Sequence, residues 1–255
     1  MLRGVNGQPY LDLTPLVNTE NFQKLHPYIC RSFAKAKHLS SQGSLDVPDG
    51  FFHLDVYKDA DFKPLWKGYR EYCKLSDTDP IKLYSKDLSE NELATYLKYV
   101  TGGYDLYQFY VLCDFQPGWR TTPFNQTYKN IANFFPEVVD FINNLVQQGI
   151  FYSIGRASFF VQEAGGISFE HKDPAIDPEN PEIMSEFIYF RPNLNRPFYV
   201  RDSETNEKIY IDTTVSYWND QDYHGGDVVL EPSYSFRVDG VFTKEFKEKI
   251  NELYY

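Results

Sequence analysis

The chain has 255 residues, 42% of them hydrophobic and 18% aromatic, and its 36 acidic against 25 basic side chains give a net charge of −11 and a pI near 4.9. That length and apolar content suffice for a substantial core, as one large domain or one domain with an appended lobe, while the acidic balance argues against a protein built to hold a phosphate backbone. No run approaches the ~20 apolar residues of a membrane span, and Met1-Leu2-Arg3-Gly4 opens neither a secretory nor a transit segment, so the expected compartment is the cytoplasm.

Residues 1 to 16 read as irregular with one possible strand, and Asn18-Thr19-Glu20 caps a helix expected to run to about His38. Phe22, Leu25, Tyr28, Ile29, Phe33 and Ala36 fall on one face of it. His26 and His38 lack a ligand-type partner at i+4 and read as structural. Phe51 to Val56 is a short apolar run whose His53-x-Asp55 imitates a metal motif without a distal His and Arg at a comparable spacing. Residues 60 to 75 read as helical, and Ser89-Glu90-Asn91-Glu92 is a capping box for a helix to about Val100, stopped by Gly102-Gly103. Tyr104 to Phe115 reads as a strand. Thr127 to Phe134 and Pro136 to Gln148 read as helices, the second closed by Gly149. Residues 1–149 thus form a mostly helical portion. Cys30, Cys73 and Cys113 have no C-x-x-C spacing and suggest neither disulfides nor zinc.

From Ile150 the texture changes to short alternating runs with turn residues every 8 to 12 positions. The expected strands are Phe151 to Gln162, Ile167 to His171, Glu186 to Phe190, Phe198 to Arg201, Lys208 to Asp212, Val215 to Trp218, Asp227 to Leu230 and Tyr234 to Val238. Eight strands make a jelly roll, or double-stranded β-helix, so the fold class is α+β with a cupin-like core over 150–255. A last helix from Thr243 to about Leu253 is expected to pack on a sheet through Phe242, Phe246, Ile250 and Leu253.

Inside this half, His171 and Asp173 are two apart on a strand-like run and share a face. His224 follows 53 positions later and Arg237 a further 13 along. Two imidazoles and one carboxylate form a facial triad that leaves metal positions open. At these residues the chain resembles the Fe(II)/2-oxoglutarate-dependent oxygenase superfamily, over about the last 100 residues. Gly155-Arg156-Ala157-Ser158, leading through Gly165-Gly166 into His171, and Arg191-Pro192-Asn193-Leu194 look like its aspartyl/asparaginyl β-hydroxylase and prolyl hydroxylase branch, which can carry Arg-x-His-Leu in place of Arg-x-Asn-Leu.

The resemblance implies that His171, Asp173 and His224 hold Fe(II), and that 2-oxoglutarate and O2 are co-substrates, with ascorbate stimulatory. Arg237 would pair with the remote carboxylate of 2-oxoglutarate, since a guanidinium fork fits a carboxylate; Ser235, on the same strand face, and Arg191 and Asn193 are further candidate contacts. Residues 174–181, rich in proline and acid, suit a substrate lid, and Trp218 either walls the pocket or fills the core. The carboxylate at Asp173 argues against the halogenase branch. The expected enzyme is a hydroxylase of a small molecule or a peptide side chain; a non-catalytic cupin-like binding protein and a nucleic-acid demethylase of the same superfamily are the alternatives.

Overall fold

Short runs with inward-facing apolar residues from both halves of the chain build two antiparallel sheets in a computed structural model of the protein. It describes residues 2–40, 72, 74–83, 85–88, 93, 108–113, 128, 130–162, 168–173, 175, 179–180 and 183–254. The strands are β1 (Tyr10–Asp12), β2 (Gln108–Cys113), β3 (Phe151–Gln162), β4 (Ser168–His171), β5 (Glu186–Phe190), β6 (Phe198–Arg201), β7 (Lys208–Tyr210), β8 (Val215–Trp218), β9 (Tyr223–Gly226) and β10 (Ser233–Phe242). Six pair in the order β1-β8-β5-β10-β3-β2, and four in the order β4-β9-β6-β7. Sequence-distant neighbours in both sheets are the mark of a double-stranded β-helix, as expected.

Two sides of β10 explain the layering. Tyr234, Phe236 and Val238 point to one face and Ser233, Ser235, Arg237 and Asp239 to the other, all of them buried. The apolar face is covered by the N-terminal part: Phe22 stacks on Phe236 with centroids 6.0 Å apart and lies 5.1 Å from Phe190 and 5.6 Å from Phe141. The polar face looks between the sheets, where Tyr189, Phe198 and Trp218 meet at 4.9 to 5.1 Å. Both edges of the larger sheet, β1 and β2, come from residues 1–149, so the sheet itself crosses the 149/150 boundary.

Several local expectations shift. The first helix is two, Thr19–Lys24 and His26–Ser40, because Pro27 cannot donate a backbone N–H and forces a new start. Thr127 to Phe134 is reduced to a 3-10 segment, Asn130–Phe134. The expected strand at Asp227 to Leu230 is replaced by β9, and Leu230 is 87% exposed. Gly225 eases the approach of β9 to β4: a Cβ there would sit 3.0 Å from Glu170 Cα and 3.1 Å from the Ser168 carbonyl oxygen, so a larger residue would push the two strands apart by a few tenths of an ångström. β10 runs past Val238 to Phe242, and the last helix, Lys244–Tyr254, packs through Phe246, 5.1 Å from Phe242. Cys113 is buried and Cys30 exposed. His53, Asp55, Cys73, the capping box at Ser89 and Gly165-Gly166 lie outside the described residues.

Phe22 is 1% exposed at the junction of helix and sheet. Phe22→Ala should cost about 3–5 kcal/mol of folding stability, read by urea unfolding; a loss within the error of the midpoint would mean that the N-terminal helix does not share the core.

Candidate active site

Pairing of β4 with β9 brings the two histidines together, His171 opposite His224, with ring centroids 4.5 Å apart. Asp173 follows β4 by two residues, and its backbone N–H donates to the Asp220 carbonyl at 2.8 Å, which ties it to the turn between β8 and β9. One ligand atom from each of His171, Asp173 and His224 lies within 4.8 Å of the others, a spread that small rotamer adjustments close around one ion. His224 Nδ1 lies 2.9 Å from the Asp222 carbonyl oxygen, so its proton is held there and Nε2 is the nitrogen left to bind a metal. Burial drives its pKa down to about 4, which keeps the imidazole neutral, as a ligand must be.

Arg237 does not wait for a ligand. Its Nε donates to Asp239 Oδ1 at 2.8 Å, Nη1 to Asp173 Oδ2 at 3.0 Å and Nη2 to Asp220 Oδ2 at 2.7 Å, and its guanidinium carbon lies 3.8 Å from the centre of the Phe187 ring. Burial opposes the charge, but Asp239, Asp220 and Asp173 together hold it firmly protonated. In return, although burial pushes Asp173 up, Arg237 brings its carboxyl below the usual range; at Asp220 burial prevails over Arg237 and the pKa rises. With Arg156 on the second oxygen of Asp239 at 3.3 Å, three carboxylates face two guanidiniums. A dication held by His171, Asp173 and His224 would offset the excess negative charge. In this arrangement the Arg237 guanidinium is engaged by Asp173, Asp220 and Asp239.

Two other expected contacts have partners of their own. Arg191 donates to the backbone carbonyls of Arg196, Ile211 and Thr213, the first at 2.9 Å and the second at 2.6 Å. Asn193 is exposed and accepts the Asn195 backbone N–H at 3.0 Å. Ser235 does face the interior, where it accepts from Arg196, a residue that sequence reasoning missed.

Arg196 is 2% exposed. Its guanidinium donates to Tyr189 Oη at 2.5 Å and to Gln162 Oε1, Ser168 Oγ and Ser235 Oγ. All four are neutral, and among the described residues no carboxylate pairs with it. Its guanidinium lies 5.5 Å from the Phe198 ring, whose centroid is 6.1 Å from that of His224. Gln162 Nε2, on a side chain that Arg196 already contacts, is buried without a partner among the described residues, as is Trp218 Nε1, and the Tyr189 and Ser235 hydroxyls spend lone pairs on Arg196. A buried cation set among unused donors is a cradle for an anion.

No protein-family model matches the chain, and no curated protein matches it. Among solved structures it is similar to a 2OG-Fe(II) oxygenase family oxidoreductase from Burkholderia pseudomallei, with a TM-score of 0.36 and 11% identity over 54% of this chain and 68% of that one. A prolyl hydroxylase from Trichoplax adhaerens, in complex with a hypoxia inducible factor peptide, gives 0.30 and 13% over 49% and 61%. A full-length Neurospora crassa protein, in complex with alpha-KG and thymine, gives 0.34 and 13% over 78% and 75%.

The low pKa of His224 makes a direct prediction. Below its unfolded value of 6.5 the unfolded chain takes up a proton that the folded chain refuses until about pH 4. Stability is therefore lost as pH falls through that window, by on the order of 3 kcal/mol from this group. Metal-free wild type should lose more stability between pH 7 and pH 4 than His224→Gln, by urea unfolding at each pH; parallel curves would refute the buried neutral imidazole.

Proposed function

We propose that the protein is an Fe(II)/2-oxoglutarate-dependent dioxygenase that hydroxylates a small molecule or a peptide side chain. The observation that carries this reading is the coexistence, between the same two sheets, of a two-histidine, one-carboxylate set and a buried guanidinium without a carboxylate. The donor set fits a dication with open positions. The Arg196 cradle fits the far end of a dicarboxylate whose near end reaches the metal.

In this reading His171, Asp173 and His224 hold the ion, and Arg237 fixes the carboxylate among them from behind. Asp222 fixes the His224 tautomer through its carbonyl. Arg191 acts one step further out, since its hydrogen bond to the Arg196 carbonyl pins the segment that carries the anchor. Arg196, Tyr189 and Ser235 grip the remote carboxylate of 2-oxoglutarate, while Phe198 and Trp218 keep water from the space between. Bound Fe(II) supplies O2 activation, so that 2-oxoglutarate, O2 and a substrate C–H bond yield succinate, CO2 and the alcohol. The division into a helical portion over 1–149, buttressing a catalytic jelly roll over 150–255, is part of the same proposal. No helix among the described residues is long and apolar enough to cross a membrane.

The test has two arms. Purified protein with Fe(II), 2-oxoglutarate, ascorbate and O2 should release succinate, and His224→Ala should abolish that release. Titrating 2-oxoglutarate into anaerobic Mn(II)-loaded protein should show affinity falling at least about 30-fold in Arg196→Met, the cost of roughly 2–5 kcal/mol for a lost buried charged contact. Mn(II) binding should be unchanged in Arg196→Met and weakened in Arg237→Ala, which frees Asp173. Unaltered 2-oxoglutarate affinity in Arg196→Met would contradict the assignment.

A further inference from the structure

Beside the triad, a cavity of about 250 Å³ opens to solvent, with the ligand Asp173 in its wall. Its other walls carry Arg3, Lys172 and Arg201, three cations around one opening in a chain of net charge −11. The acids among them are already committed. Asp222 accepts the backbone N–H groups of Arg3 and Gly4, one on each oxygen and each at 2.8 Å. Asp173 faces Arg237 and the two histidines.

The cations are held in place. Lys172 Nζ and the Arg201 guanidinium each lie 5.5 Å from the Tyr223 ring. Arg201 is also fixed by Glu170 and Asn206, yet its Nε is buried without a hydrogen-bond partner among the described residues. Arg3 reaches the rim because the Asp222 clamp anchors its backbone, and its Nη1 donates to Gln221 Oε1 at 2.9 Å. Lys172 has no carboxylate partner among the described residues. Three ordered cations beside two acids whose oxygens are already engaged present N–H donors to the opening, which suits an anion better than a basic molecule.

We propose that this cavity takes an oxyanion, a carboxylate or a phosphate, borne by the prime substrate, so that the substrate class is a small acid held with its anionic end against Lys172, Arg3 and Arg201. This rests on reading the triad as the iron site, because only that reading makes the cavity the substrate's approach. Charge recognition at the rim leaves the rest of the molecule to reach the metal past Asp173.

The test uses inorganic phosphate and acetate as probes, with protein loaded anaerobically with Mn(II) and 2-oxoglutarate. Paramagnetic relaxation of the phosphate ³¹P and acetate ¹³C signals reads binding near the metal. Wild type should enhance the relaxation of at least one probe saturably; the stronger one tells phosphate from carboxylate. The double variant Lys172→Ala, Arg3→Ala should bind it about tenfold more weakly, Lys172→Arg should retain most of the binding, and 2-oxoglutarate affinity should be the same in all three. Both replaced side chains are exposed, and equal melting temperatures would confirm that the fold is intact. No saturable effect with either probe, or a double variant that matches wild type, would overturn the proposal. If 2-oxoglutarate failed to bind wild type, the functional reading would fall, while saturable amide shifts of Arg3 and Lys172 with phosphate or acetate would still uphold the anion pocket.

Discussion

A single guanidinium holds three separate pieces of this structure in register. Arg237 leaves the centre of β10, and its nitrogens reach Asp239 on the same strand, Asp173 beyond the end of β4 and Asp220 in the turn between β8 and β9. The last two segments carry or flank all three candidate metal ligands. Burying a guanidinium costs several kcal/mol unless anions surround it, so its carboxylates cannot relax away without a comparable penalty. The polar cluster thus converts burial into positional precision: Asp173 is aimed by a group that is itself fixed between two strands and stacked on Phe187.

The same arithmetic applied to Arg196 gives the opposite result. It is as deeply buried, but its partners are two serines, a tyrosine and a glutamine. Arg191, equally buried, is compensated by three converging carbonyl dipoles and serves the backbone. Arg196 is compensated by rotatable side chains that face the interior and that can donate to an incoming anion. In the proposed reading one arginine supports the metal site and another receives the co-substrate.

The motif was legible because its chemistry is local: His171-Lys172-Asp173 places two ligands on one strand face, and antiparallel pairing brings His224 opposite at any compatible spacing. The location of Arg237 was legible for the same reason, and Asp239, two residues on and therefore on the same face, signalled that its guanidinium has an acidic neighbour. Arg196 was hidden because nothing in Arg-Pro-Asn-Leu-Asn-Arg-Pro tells which arginine meets backbone carbonyls and which meets side chains; its partners come from four other strands or their ends. β9 was misplaced by favouring the apolar Val228 to Leu230 over Tyr-His-Gly-Gly, where glycine serves close approach to β4 and not a turn. Pro27, overlooked inside an apolar helical face, split the first helix.

In the proposed reading the interior binds an anion at both ends, a metal-chelating oxo-acid at the triad and a second carboxylate at Arg196. The most direct measurement edits the ligand and leaves the protein whole. 2-Oxoglutarate and 2-oxobutyrate share the oxo-acid and differ by the remote carboxylate, so their dissociation constants from the anaerobic Mn(II)-loaded protein isolate that group. A preference of at least about 30-fold for 2-oxoglutarate is expected for a buried charge-assisted pair. Equal affinities would show that no group in the interior reads the second carboxylate, and would contradict the account.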